Sequence, residues 1–310
     1  MFGLSKKDKS GQTHSNNAEP SKEKKQTESA NSNLIQYMKD ADLGDAVAML
    51  NIGALYDIGD GVKQDYVEAM RWYRKAADLG NKMAMYFIGL LYADGYGVKQ
   101  DYVEAMRWYI KAADLGNARA MRKIGLLYEN GDCVKQDYEE AMRWYIKATD
   151  LGDAMAMTRI GVLYNYGCDV KQDYGEAMRW YIKAADLGDA GAMCNMGVLY
   201  SHGYGVKQDY GEAMRWYIKA ADLGDAMAMS NVGLYYGNGY GVRQDFGEAM
   251  RWFRKAADLG DAGAMYNIGL SYGKGEGVRK DEKEAIFWVK KAANLGFADA
   301  KSLLDELGRQ

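Results

Sequence analysis

The chain has 310 residues, 48% of them hydrophobic, with 40 Lys and Arg against 43 Asp and Glu for a formal charge of −3. That balance lacks the basic excess needed to neutralise many phosphates, so general nucleic-acid binding is not expected. No stretch approaches the ~18 apolar residues of a membrane span, the N-terminal MFGLSKKDKSGQ has no apolar signal core, and three Cys are too few for a disulfide framework.

Residues 1–33 are rich in Ser, Asn, Gln, Lys and Glu, carry the single proline, Pro20, and hold six Lys against four Asp and Glu. So little apolar material cannot offset the entropy of ordering, and a disordered polar tail is expected. Residues 34–44 read as a capping helix, because LIQYMKDAD matches the end of a motif that then recurs. Seven units of 36 residues follow without insertion or deletion, at 45–80, 81–116, 117–152, 153–188, 189–224, 225–260 and 261–296. Residues 297–310 read as a C-terminal capping helix with a polar exposed face. A fixed period of this length predicts an all-α fold, a right-handed α/α superhelical solenoid of helix-turn-helix repeats.

Within the first unit, Asp45 is the expected N-cap of a first helix that runs to about Asp57, and Gly59 supplies the left-handed residue that stops it. Asp65 with Glu68 has the D-x-x-E form of a capping box and starts the second helix, which Gly80 ends. At about 100° per residue, Ala48, Met49, Ile52, Gly53, Leu55 and Tyr56 share one face of the first helix. Ala69, Met70, Trp72, Tyr73, Ala76 and Ala77 share one face of the second, so both stripes are expected in the core, the seven Trp included. Cys133 and Asp169 stand where the first unit has Gly61; if that position needs positive φ, Cys is strained there.

These residues are similar to the Sel-1-like repeat family, relatives of the tetratricopeptide repeats. The likeness rests on the G-x-G-V-K-x-D loop, on E-A-M-R-W-Y-x-K-A-A, and on A-M-x-x-I-G-x-L-Y. VKQDY-x-EAMRWY stands intact from Val62, Val98, Val134, Val170 and Val206, and nearly so from Val242. The resemblance covers residues 34–310 and implies an adaptor that assembles other proteins, in signalling, quality control, envelope maintenance or host contact. An exported effector that contacts host proteins is the alternative. Certain cysteine-rich relatives are β-lactam-binding hydrolases, but the paired Cys they carry in each repeat are missing here, which argues against carrying that activity over.

Catalysis has little to draw on, since the two His, His14 and His202, lie far apart in sequence and the Asp65 and Glu68 pair recurs in every repeat as a cap would. No enzymatic activity, metal or cofactor is expected. The repeats differ at the first-helix positions 47, 50, 51, 54, 57 and 58 and their equivalents, which cluster on the side opposite the core stripe. The partner expected there is an extended, acidic peptide held on a concave surface of first helices. Its candidate contacts are Tyr86, Phe87, Leu90, Arg119, Arg122, Lys123, Leu126, Arg159, Val162, Asn195 and Asn231. Leu90, Leu126 and Val162 would floor the groove, the Arg and Lys side chains would grip carboxylates, and the Asn amides would bond extended backbone. A cytoplasmic location is expected, with export by a non-classical route open; no oligomeric state follows from the residues.

Overall fold

The structure, a computed structural model, describes residues 33–307. Residues 1–32 and 308–310 lie outside the described residues, and with them nearly all of the polar tail and the end of the last cap. Sixteen helices alternate with short loops: α1 (33–42), α2 (Ala46–Ile58), α3 (Tyr66–Asp78), α4 (Lys82–Asp94), α5 (Tyr102–Asp114), α6 (Ala118–Asn130), α7 (Tyr138–Thr149) and α8 (Ala154–Tyr166). They continue as α9 (Tyr174–Asp186), α10 (Ala190–His202), α11 (Tyr210–Asp222), α12 (Ala226–Asn238), α13 (Phe246–Asp258), α14 (Ala262–Lys274), α15 (Glu282–Asn294) and α16 (Ala298–Leu307). From α2 to α15 the even-numbered helices are the first, and the odd-numbered the second, of seven helical hairpins. Among the described residues there is no strand, and no helix is long and apolar enough to cross a membrane.

The chain divides within α5 into two compact units, Met1–Ala105 and Met106–Gln310. Inside the first, α2 packs on α3 and α3 on α4. Inside the second, α6 to α15 pair as hairpins, each second helix packs on the next first helix, and α16 closes the series against α15. This is the stacking of an α/α solenoid, in which every element buries its apolar stripe on its sequence neighbours.

The helix ends follow from a few side chains. The Asp45 carboxylate accepts from the Val47 and Ala48 amides at 2.7 and 3.2 Å, and Asp65 from Val67 and Glu68 at 3.0 Å each. Only half of the expected capping box forms. The Asp65 N–H donates to the Tyr56 carbonyl at 2.9 Å, and Asp137, Asp173, Asp209, Asp245 and Asp281 repeat that bond to Tyr128, Tyr164, Tyr200, Tyr236 and Tyr272. With the cap N–H already satisfied, Glu68 turns to Arg71 instead, 3.0 Å away. The recurring Gln has a task of its own: Gln64 donates to the Asp57 carbonyl at 2.8 Å, as Gln136 does to Glu129 and Gln172 to Asn165, which satisfies an acceptor left over at the end of a first helix.

The tightest point of five of the hairpins is a glycine of the first helix lying under a ring of the second. A Cβ on Gly53 would stand 2.5 Å from Tyr73 Cδ1; Gly125 under Tyr145, Gly161 under Tyr181, Gly197 under Tyr217 and Gly233 under Phe253 have the same clearance. Tyr73, Tyr145 and Tyr181 are almost wholly buried. Of the seven Trp only Trp72 is fully buried; the other six are half-buried, a departure from the expected core stripe. Lys75 lies 3.7 Å above the Trp72 ring centroid, and the Lys three positions after each other Trp lies within 4.0–4.6 Å of its ring. One ring face packs and the other is covered by an ammonium, a cation–π contact that an aliphatic core residue could not make.

Two expected outcomes follow. An exposed helical Gly normally gains ~0.5–1 kcal/mol on change to Ala, but overpacking a filled site costs ~1–3 kcal/mol, so Gly161→Ala should lower the urea midpoint; a raised midpoint would contradict the close approach. Cys133 and Asp169 do adopt positive φ, 61° and 50°. Relief of ~1–2 kcal/mol of left-handed strain outweighs the ~0.5–1 kcal/mol entropic cost of Gly, so Cys133→Gly should raise the midpoint slightly, and a fall would count against strain at that loop.

Candidate peptide-binding surface

The variable first-helix positions separate into two kinds once their neighbours are known. Position 50 and its equivalents form a joint between successive repeats. Arg122 Nε donates to both carboxylate oxygens of Asp153 at 3.0 and 3.2 Å, with side chains only 14% and 8% exposed. Asp153 is at the same time the N-cap of α8, accepting from the Ala156 amide at 2.8 Å. In the next repeat Thr158 donates to Asp189 at 2.8 Å, which caps α10 in the same way. Cys194 is buried at the following joint, where desolvation first and Asp225 second push its thiol up to about 12, while Asn231 donates to its sulfur at 3.9 Å. Variation here reflects different solutions to one packing problem.

In the first and third repeats position 57 answers to the second-helix ring, whereas the second repeat has Ala93 there alongside Tyr109. Tyr73 donates to Asp57 at 3.0 Å, and Tyr145 to Glu129 at 2.5 Å. Burial, with the adjacent carboxylate adding to it, pushes both phenols well above their usual range; burial also raises the Asp57 carboxyl, against the Tyr73 hydrogen bond that lowers it. Asn165 and Ser201 stand at this position in the repeats of Tyr181 and Tyr217. Where the ring lacks a hydroxyl, as Phe253, or is absent, as at Val289, the first helix carries Gly237 or Gly273.

The candidate residues fall accordingly. In the first unit Tyr86 is buried, Phe87 is half-buried with its ring stacked on Tyr73 at 5.2 Å, and Leu90 is half-buried. In the second unit Arg119 is exposed and Lys123 half-buried. Arg159 lies 3.4 Å from Glu129, the carboxylate that also takes the Tyr145 hydroxyl. Two of the four cations of that cluster, Arg122 and Arg159, are therefore paired from within, and Arg122 faces a joint instead of the surface. Leu126 and Val162 are half-buried against the clusters around Tyr145 and Tyr181, and Asn195 and Asn231 are half-buried. At the level of Leu126 the most exposed equivalent is Leu234, 37% accessible.

The openings that sequence reading missed are in the last two repeats. A groove of about 250 Å³ is lined by Leu234, Gly237, Asn238, Phe253, Asn267, Leu270 and Lys274, and a second space of about 340 Å³ adjoins Leu270, Gly273, Val289 and Leu303. The signal was present in the paired changes to Phe253 with Gly237 and to Val289 with Gly273, visible only when helices of one repeat are compared with each other. The groups that could carry chemistry have other engagements. His202 stacks on Tyr204 at 5.1 Å with its ring nitrogen 3.0 Å from the Val198 carbonyl, and among the described residues no cluster of three His, Cys, Asp or Glu converges.

A family model described as Sel1 repeat matches residues 46–81, 82–117, 118–153, 154–189, 190–225, 226–261 and 262–297. The structure of c5321, a protective antigen of uropathogenic Escherichia coli strains that displays an SLR fold, is 34% identical, with a TM-score of 0.67 over 88% of this chain. The chain spans 59% of the length of that relative. A Sel1 repeat protein from Oxalobacter formigenes is 38% identical, with a TM-score of 0.69 over 75% of this chain and 99% of its own. Yeast Tom70, 16% identical with a TM-score of 0.56 over 92% of this chain and 59% of its own, shares the fold alone. Among curated proteins none matches the chain.

The joint assignment separates a structural arginine from a surface one. Arg122→Ala should cost ~1.5–3 kcal/mol, the worth of a buried bond to a charged partner, and Arg122→Met should recover part of it through packing. Equal urea midpoints for wild type and Arg122→Ala would return the side chain to the surface.

Proposed function

The chain belongs to the Sel1 repeat family, and on that premise we propose that it is a non-enzymatic interaction scaffold binding an extended segment of another protein along its row of first helices. The observation that carries this reading is the division of the variable positions. Positions 50 and 57 are taken up by joints and rings, whereas positions 51 and 54 keep a half-exposed row of Asn195, Asn231 and Asn267 beside Val162, Val198 and Leu234. Asn offers two donors and an acceptor, which suits both polar groups of an extended backbone, and the apolar row supplies a dry floor.

A non-enzymatic role draws support from what the reactive groups already do. The recurring Asp and Glu cap helices and pair with Arg, and the Cys194 thiol is buried with its ionisation suppressed. An acidic preference in the bound segment rests on Arg119, with Arg159 as a shared contributor, since Arg122 is spent on Asp153. Contact with host proteins after export is a second use of the same surface, favoured by the likeness to a protective antigen.

Photo-crosslinking distinguishes the two faces of the array. A benzoylphenylalanine placed at Val162, Asn195 or Leu234 should capture the same protein from cells, and Asn195→Ala with Asn267→Ala should weaken capture by about tenfold while leaving the melting midpoint in place. Capture only from Lys183 or Lys219, on the second helices, would remove the proposal.

A further inference from the structure

Five hairpins of the array show what belongs between a first-helix glycine and the second helix above it. Tyr73, Tyr145, Tyr181, Tyr217 and Phe253 each lay a ring over Gly53, Gly125, Gly161, Gly197 and Gly233. The seventh repeat keeps the glycine, Gly269, but sets Val289 above it, and it places Gly273 where the first repeat has Asp57. Two large-to-small changes thus meet at one contact. A protein interior is ordinarily packed to crystal density, yet here an open pocket of about 340 Å³ remains, walled by Gly269, Gly273, Ala285, Val289, Leu270 and Leu303.

The surroundings changed in the same direction. The exposed Arg that follows Met70 and its equivalents in the first six repeats becomes Phe287, 52% exposed, and the Met before it becomes Ile286, which lines the pocket and is 42% exposed where Met70 is buried. The pocket shares Leu270 and Lys274 with the neighbouring groove, so it is continuous with the row of first helices.

We infer that this pocket receives an aromatic side chain presented by a bound partner protein, in the outer part of the slot that the chain's own ring fills in five other hairpins, beside Gly273 and beyond the Val289 methyls. Its volume lies at the small end of ligand sites and suits one anchor. Val289 already covers Gly269, its Cγ2 2.7 Å from where a Cβ would stand, so the bare wall that selects a flat group is Gly273, where a Cβ would meet only the Ala285 methyl at 3.8 Å. A ring can lie along that wall at van der Waals distance, whereas a branched aliphatic chain leaves most of those contacts unmade. The identity of the occupant as part of a protein rests on the scaffold reading above; the shape of the pocket does not.

The test uses the full chain and p-cresol, the side-chain analogue of tyrosine, titrated by calorimetry and by chemical-shift change. Saturable binding at one site is expected, with Val289→Tyr weakening it about tenfold or more while raising the melting midpoint, because the variant restores the ring of the other repeats. Gly273→Leu provides a second way to fill the space, since a Cβ there meets only the Ala285 methyl at 3.8 Å, and it should weaken binding similarly. Failure of p-cresol to saturate, affinity unchanged in both variants, or equal affinity for cyclohexylmethanol would overturn the inference. Concentration-dependent self-association abolished by Val289→Tyr would overturn it too, by making a second copy the occupant. Loss of crosslinking along the first helices bears on the scaffold reading and leaves the p-cresol result untouched.

Discussion

Everything in this array depends on how near the two helices of a hairpin can come, and that distance is set by a ring lying on a bare backbone. Glycine inside a helix is unfavourable in isolation. Here it is retained because any side chain would occupy the volume of Tyr73 or its counterpart, 2.5 Å away. The ring buried there has a polar end, and that end imposes a second requirement one turn further along the first helix, met by Asp57 and by Glu129. In the first and third repeats close approach, ring and acceptor therefore form one unit, and in the sixth the loss of the hydroxyl at Phe253 is accompanied by loss of the acceptor at Gly237.

This coupling changes the meaning of variation within the chain. Repeats copied at a fixed period of 36 residues invite the view that positions which differ are positions that bind. The joint made by Arg122 with Asp153, by Thr158 with Asp189, and by Cys194 near Asp225 shows otherwise: these side chains differ because each joint can be satisfied by charge, by a hydroxyl or by a thiol. What remains after those positions are set aside is narrower, the Asn row and the apolar row beside it, and it is on this remainder that a role in recognition rests.

The fold was legible because its signals are local. Asp45 and Asp65 as caps, Gly59 as a stop and the 36-residue period all act within a few residues, and the helices begin and end where those residues place them. The candidate surface was less legible because its members depend on partners far along the chain. Arg122 meets an N-cap 31 residues later, and Arg159 meets Glu129, which already serves Tyr145 from the opposite direction. The half-exposed Trp could have been anticipated, since Lys111 follows Trp108 by three residues and so lies on the same helical face. Phase alone put Trp108 in the core stripe without asking which side of the ring was covered.

The claim that ring and acceptor act as one unit is tested most directly by a double-mutant cycle on Tyr73→Phe and Asp57→Ala, read by urea unfolding of the full chain. The account predicts a coupling energy on the order of 1 kcal/mol, with the double variant more stable than the sum of the single changes implies, because each single change leaves a buried polar group without its partner. Single effects that add to the double effect within error would contradict it.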